Sequence, residues 1–261
     1  MLGGTLALSG LSRTHAAGSD DPLCSLTPEQ EQGPFYIPNE KVRADLIEDR
    51  PGIPLYLRIR VVEAQDCTAV RGASVEIWSA DASGVYSGYD AMPVGPGPGH
   101  PPLSGGGGEP IAPPFGPGVM PPPPKPTNDK TFLRGILMTD SDGVVEFTTL
   151  FPGCYEGRLN HVHVKVRTGR DGTTHVSHTG QIFFPDVFTT AVLLTEPYKS
   201  NPVPRTLYTS DPVYQHQNGS ACLAKMSVLK AKDVREGLDA VVTLAIDSRA
   251  TPKPVGFAGQ S

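Results

Sequence analysis

Alternating apolar and polar positions recur along the chain and predict short strands separated by turns. Residues 55–63 (LYLRIRVVE) alternate as a half-buried strand should. Residues 73–79 (ASVEIWS) repeat the pattern, with Ala73, Val75 and Ile77 on one face. Residues 132–139, 144–148, 161–167 and 181–184 continue it, and 225–230 and 240–246 close it. Asp142-Gly143 and Asp171-Gly172 are hairpin signals. Thr27 to Asn39 (TPEQEQGPFYIPN) reads as a turn-rich entry, and residues 40–50 read as a short helix or an extended arm. Eight or so strands with few helices predict an all-β chain, a β-sandwich with long loops.

Composition strengthens this. The 261 residues include 29 Gly and 28 Pro, about 22% against roughly 12% in average usage, and both residues damage helix interiors. Residues 91–126 concentrate them, with 14 Pro and 9 Gly in 36 positions. Such a segment cannot bury enough apolar area to offset its ordering, so it reads as a surface loop with polyproline stretches, hung over the site built by the motifs on either side. A net charge of −5 argues against a nucleic-acid partner, and no apolar run approaches the roughly 20 residues that cross a bilayer.

The first residues, MLGGTLALSGLSRTHAA, carry a short apolar stretch at 6–11 and a small-residue end. They resemble the core and cleavage end of an export signal without its basic start; a frayed terminus is the plainer alternative. The expectation is a signal remnant over 1–18, a single β-sandwich domain over 19–261, and export to the cell exterior or periplasm. Cys24, Cys67, Cys154 and Cys222 lie far apart with no C-x-x-C pair, which argues against a zinc knuckle. Cys154 is expected to be free, with a single bridge among Cys24, Cys67 and Cys222.

The candidate chemistry starts at Asn160-His161-Val162-His163-Val164. Residues i and i+2 of a strand face the same way, so His161 and His163 present two imidazoles that can share one metal ion. The plainer reading is two surface histidines, with Val162, Val164 and Val166 taking the core side alone. Cupins pair such histidines with a downstream glutamate, and residues 164–170 contain none. Upstream, the Pro152-Gly153 turn projects Tyr155 off a strand end, and Tyr86 leaves the end of the Trp78 strand in the run SGVYSGYD. Phenolate oxygen beside imidazole favours a hard, highly charged ion such as Fe(III) over zinc.

These motifs together resemble the intradiol ring-cleavage dioxygenases, an exported branch related to the protocatechuate and catechol enzymes. The resemblance rests on GPFY at 33–36, W-x-A-D-x-x-G-V-Y-S from Trp78, FLRG at 132–135, Thr139-Asp140 with Gly143, FPG-x-Y-x-G-R from Phe151, HVHV at 161–164 and TGQIFFP at 179–185, in order over about 24–247. It implies a mononuclear non-haem Fe(III) held by Tyr86, Tyr155, His161 and His163, with Tyr86 preferred to Tyr89. It implies that Arg158 lies beside the substrate, that Gln181 supports the site, and that Tyr36 lines the pocket. Tyr89 is then a pocket wall or a surface residue. It further implies cleavage of a catechol with O2 between the hydroxylated carbons to a muconate-type diacid, the catechol displacing Tyr155, which acts as a base. Cys154 stands where the family carries a bulky aromatic residue, and the 91–126 insert departs from it too.

Two other classes compete: a secreted non-catalytic β-sandwich that binds aromatic or polymeric ligands, and a zinc hydrolase built on the histidine pair, which lacks an obvious carboxylate base. His15, His100, His175, His178 and His216 read as surface residues, Trp78 as core, and Asp140 and Asp142 as turn formers.

Overall fold

A computed structural model describes residues 25–89, 124–170, 173–230 and 233–256. The 1–18 leader, Cys24, His15, His100, Asp171-Gly172 and the 91–126 insert up to 123 lie outside the described residues. Eight strands are present among them: β1 (Pro54–Glu63), β2 (Ser74–Trp78), β3 (Arg134–Met138), β4 (Val144–Leu150), β5 (His161–Arg170), β6 (Thr173–Phe183), β7 (Lys225–Val228) and β8 (Leu238–Ile246). They form two four-stranded sheets, β4-β1-β8-β7 and β3-β2-β5-β6. β1 runs parallel to β8, while every other paired neighbour is antiparallel. The architecture is the expected all-β sandwich.

Period-two alternation builds the core. Leu55, Leu57, Ile59 and Val61 of β1 point inward while Tyr56, Arg58 and Arg60 point to solvent. They meet Val75 and Ile77 of β2 and Val162, Val164 and Val166 of β5 in one apolar cluster with Leu238, Leu244 and Ile246 of β8. The β5 valines thus take the core side, as the plainer reading of the histidine pair had it. The opposite face of β5 is nonetheless buried: His161, His163 and Lys165 are all at most 4% exposed.

The cover over that face is residues 27–46. Thr27 exchanges two hydrogen bonds with Ala245 of β8. Gln30 N–H then donates to Thr179 O of β6. Farther on, Lys41 O accepts from Ile136 N–H of β3 and Leu46 N–H donates to Thr148 O of β4. The chain therefore crosses the second sheet from its β6 edge to its β3 edge as an extended strap, which decides between the two readings of residues 40–50.

Two short helices, α1 (Asp186–Leu193) and α2 (Pro212–His216), lie between β6 and β7. Among the described residues no helix is long and apolar enough to cross a membrane. The Asp142-Gly143 signal marks a real turn, closed by Asp140 Oδ1 accepting from Asp142 and Val144 N–H. It joins β3 in one sheet to β4 in the other, so it is a corner between sheets and not a hairpin. The strand expected at 181–184 begins earlier, at Thr173, and pairs with β5 as a true hairpin.

Cys67 is disulfide-bonded, while Cys154 and Cys222 are free and buried. Burial pushes the Cys154 thiol up, and burial with the nearby Glu29 pushes Cys222 up to about 12. Since the thiolate is the reactive form, a thiol reagent at pH 8 will label neither Cys154 nor Cys222 in the folded protein and both after denaturation. Mass spectrometry of the labelled peptides checks this.

Candidate metal and substrate site

The site forms where β5 begins. His161 and His163 sit two apart on its strap-facing side, with Gln181 of β6 directly across from His163 and Trp78 of β2 across on the other side. The Trp78 ring stacks parallel on the His163 ring, 4.9 Å between centroids. Trp78 is therefore both core, as expected, and a ring that fixes the His163 plane.

Tyr86 arrives on the loop after β2. Asp81 Oδ1 accepts from Ser83 and Val85 N–H to fold that loop. Arg134 of β3 clamps its far end, Nε to Ser87 Oγ at 2.8 Å and a terminal nitrogen to Ser87 O at 2.9 Å. Tyr155 arrives on the loop after β4, held from within by Asn160 Nδ2 donating to Pro152 O and from outside by Asn201 Nδ2 donating to Cys154 O.

These elements bring the four sequence-predicted ligands together. Tyr155 Oη lies 3.1 Å from His161 Nε2, which lies 3.0 Å from His163 Nε2. The Tyr86 ring stands 5.7 Å from Tyr155 and 6.0 Å from His163, centroid to centroid. Its hydroxyl is buried and meets no hydrogen-bond partner in good geometry, although the Tyr155 phenol is near enough to act on it. His161 Nδ1–H donates to Leu159 O at 2.6 Å, which leaves the Nε2 lone pair pointing at the cluster.

Burial sets the protonation of the group. Desolvation, aided by Arg158, lowers His161 to about 3, and desolvation with His161 as neighbour holds His163 well below its ordinary value. Burial raises Tyr155 to about 12 against the opposing pull of Arg158. Burial and the Tyr155 phenol together raise Tyr86 further above the usual tyrosine range. At neutral pH the cluster is therefore two neutral imidazoles and two neutral phenols, a donor set with no charge of its own. Among the described residues no group of three or more His, Cys, Asp and Glu could hold a metal. A cation at this histidine pair would find the Tyr155 phenol oxygen 3.1 Å from His161 Nε2.

Arg158 and Gln181 stand beside this cluster. Arg158 donates from Nε to Asp211 Oδ2 at 3.1 Å, from a terminal nitrogen to Gln181 Oε1, and has Glu31 Oε1 at 3.6 Å from the other. Burial would lower its pKa, but the Tyr155 phenol, Asp211 and Glu31 outweigh it and hold the guanidinium charged. Gln181 is fixed on all sides: its N–H donates to Gln30 Oε1 and its Nε2 to Glu31 O.

The strap finishes the walls. Gly33 has φ +72°, and a Cβ there would lie 3.0 Å from His163 Cε1, so this close approach needs a glycine. Phe35 stacks on Tyr86 at 4.8 Å and packs on Tyr89 at 5.0 Å. Tyr89 is buried, a wall and not a surface residue. Tyr36 packs on Trp78 and commits its hydroxyl to Glu76 and Arg167. His178, expected at the surface, is instead buried, its Nδ1 2.6 Å from Glu29 Oε1 of the strap; His216 is exposed and His175 half-buried.

Sequence reasoning missed Glu31 and Asp211. Asp211 is completely buried, and its carboxylate accepts from Arg158, from Leu159 N–H at 2.7 Å and from Tyr214 N–H at 2.9 Å. It thus holds Arg158 and, through the Leu159 peptide, the carbonyl that orients His161. Its local signal was present: Asp211 before Pro212 is an N-cap followed by proline at the first helical position.

No protein-family model matches the chain, and no curated protein matches it. Solved structures do. The chain is similar to an intradiol ring-cleavage dioxygenase from Tetranychus urticae, 29% identical, with a TM-score of 0.71 over 88% of this chain and 98% of that one. It shares its fold with the dioxygenase domain of a dioxygenase–carbohydrate-binding protein fusion from Streptomyces sp. SirexAA-E, at 22% identity and TM-score 0.53, covering 85% and 99%. It shares it also with catechol 1,2-dioxygenase from Acinetobacter sp. ADP1, at 18% identity and TM-score 0.54, covering 88% and 68%.

Burial costs the Asp211 carboxyl, but Arg158 and the Tyr214 and Leu159 N–H groups reverse this and hold its pKa low. The stabilisation is therefore full above the ordinary carboxylate range and is lost as pH falls through the depressed value. Asp211→Ala strands a buried guanidinium and removes the cap, and should cost about 3–5 kcal/mol in urea unfolding at pH 7. Asp211→Asn, which keeps a cap acceptor, should cost less.

Proposed function

We propose that the chain, which is similar to intradiol ring-cleavage dioxygenases, is a ring-cleaving oxidoreductase of that family that uses one Fe(III), held by Tyr86, Tyr155, His161 and His163, to cleave catechol-type rings with O2. The observation that carries this reading is the convergence of Tyr155 Oη, His161 Nε2 and His163 Nε2 at 3.0–3.1 Å, with the unpartnered Tyr86 hydroxyl buried beside them. The residues fit the ion. Two imidazole lone pairs and two phenols bring no charge until a cation draws off the phenol protons, and hard phenolate oxygen suits a trivalent metal. A buried hydroxyl without a partner is costly in any fold that does not use it.

Bound Fe(III) would supply the Lewis acidity that ionises the catechol and opens its ring to O2. The protein's own groups then have defined work. Tyr155, whose phenol is held above the ordinary tyrosine range by burial, would as a phenolate accept a catechol hydroxyl proton at Oη. Arg158 beside it eases the formation of that phenolate. Leu159 O, receiving the Nδ1 proton of His161, keeps the Nε2 lone pair free. Trp78 and Gly33 hold the His163 ring between them, and Phe35 and Tyr89 form an aromatic wall that keeps water from the Tyr86 side. The overall reaction adds both atoms of O2 to the catechol and gives a muconate-type diacid with no other co-substrate. The disulfide at Cys67 supports an oxidising compartment and hence an exported enzyme.

Catechol cleavage under 18O2 by the iron-loaded chain tests the reading. The expected product is a ring-opened diacid carrying two labelled oxygens, with Tyr155→Phe slowed about 10²–10⁴-fold. Unlabelled product, or a Tyr155→Phe enzyme as fast as the parent, would contradict it.

A further inference from the structure

Tyr86 and Tyr155 both stand on loops, outside any strand or helix, so no sheet ladder fixes the spacing of their backbones. The two loops nonetheless lie backbone against backbone. Gly153 N–H donates to Asp81 O at 2.9 Å, and the same oxygen accepts from Gly84 N–H. A Cβ at Gly84, where φ is +83°, would collide with Cys154 O, and one at Gly153 with Ala82 O. Such close approach gathers carbonyl oxygens in one place, and a buried carbonyl left without a donor is costly.

Ala82 and Cys154 are both buried. One side chain meets both of their carbonyls: Asn201 Nδ2 donates to Cys154 O at 2.8 Å and to Ala82 O at 3.4 Å. Asn201 is itself tied down, its Oδ1 accepting from Val203 N–H and its own N–H donating to Tyr198 O, both at 3.0 Å. The residue type matters here. An amide NH2 carries two protons for two acceptors, a hydroxyl carries one, and a carboxylate of the same shape carries none. Tyr198 adds a second grip, donating from its buried Oη to Phe151 O at 2.7 Å. The short turn at Tyr198–Ser200 and the residue after it therefore hold both ends of the 151–154 segment, its first carbonyl through Tyr198 and its last through Asn201. The Cys154 carbonyl lies in the peptide plane that leads into Tyr155, so fixing that oxygen fixes the direction in which Tyr155 leaves the backbone.

Resting on the dioxygenase reading above, we propose that Asn201 is a positioning residue for the metal site: it joins the Tyr86 loop to the Tyr155 loop and keeps both phenols turned toward the histidine pair. It acts through the two carbonyls, as Asp211 acts on His161 through the Leu159 peptide.

The test sets the parent full chain against Asn201→Asp, which keeps the size and the acceptor for Val203 N–H and removes both donors. Amide exchange on the metal-free chain reads the loops directly. Gly153 in one loop and Ser83, Gly84 and Val85 in the other, whose N–H groups all bond to Asp81, should exchange about tenfold faster relative to β1. On the iron-loaded chain the tyrosinate-to-iron band should shift while one iron per chain is retained. With catechol, kcat should fall about 10–100-fold while KM stays within a few-fold. Acceleration confined to one loop, or a variant whose band and kcat match the parent, overturns the proposal. If Asn201→Asp does not fold, Asn201→Ala, which brings no charge, is read the same way. A parent chain that stays colourless with iron overturns the dioxygenase reading instead, and amide exchange still decides whether Asn201 joins the loops.

Discussion

Everything in this structure depends on one constraint: the second sheet is polar on the side away from the core, and that side is buried. Glu76, His161, His163, Lys165 and Gln181 all lie there with almost no exposure. Each would be a heavy penalty if left without partners. The strap of residues 27–46 supplies them one after another. Glu29 meets His178 at the β6 edge, and across the face Gln30 and Glu31 meet Gln181, Gln32 meets Lys165, Gly33 leans on His163, and Tyr36 donates to Glu76. The cover that satisfies the sheet is also the wall of the site. Phe35 stacks on Tyr86 only because the residues before it are already pinned along β6 and β5.

That arrangement explains what could be read from the sequence. Strands betray themselves locally, and β1 and β8 carry their alternation within nine or ten residues. The histidine pair is legible for the same reason, because period two places both rings on one face whatever covers them. The motif order from Trp78 to Pro185 was informative too, since it singled out Tyr86, Tyr155, Arg158 and Gln181, which the fold brings together around the histidine pair. The strap was not legible. The bonds from Glu29 and Gln30 to β6 join residues 149 to 151 positions apart, and no local pattern in TPEQEQGPFY announces a polar sheet face waiting elsewhere. His178 was misjudged for that reason, its partner lying at position 29. The corner at Asp142-Gly143 was misread because a turn signal records that the chain reverses and not which sheet it enters next.

The electrostatics of the site follow from the same burial. A buried cluster of neutral donors is poised for a cation, and the charged residues around it are paired with one another. Arg158 sits at the centre of that pairing. It is the cation that eases ionisation of Tyr155, and it is held between Asp211 and Glu31 while it donates to Gln181. Asp211 links this electrostatic frame to the metal-facing geometry, since the peptide it grips at Leu159 also carries the carbonyl that orients His161.

The central claim is that two phenols and two imidazoles converge on one ferric ion. The visible absorption spectrum of the purified chain after loading with Fe(III) tests it most directly. The account predicts a red-brown tyrosinate-to-iron charge-transfer band that saturates at one iron per chain. A protein that binds no iron, or binds it and stays colourless, would contradict the phenolate ligation on which the account rests.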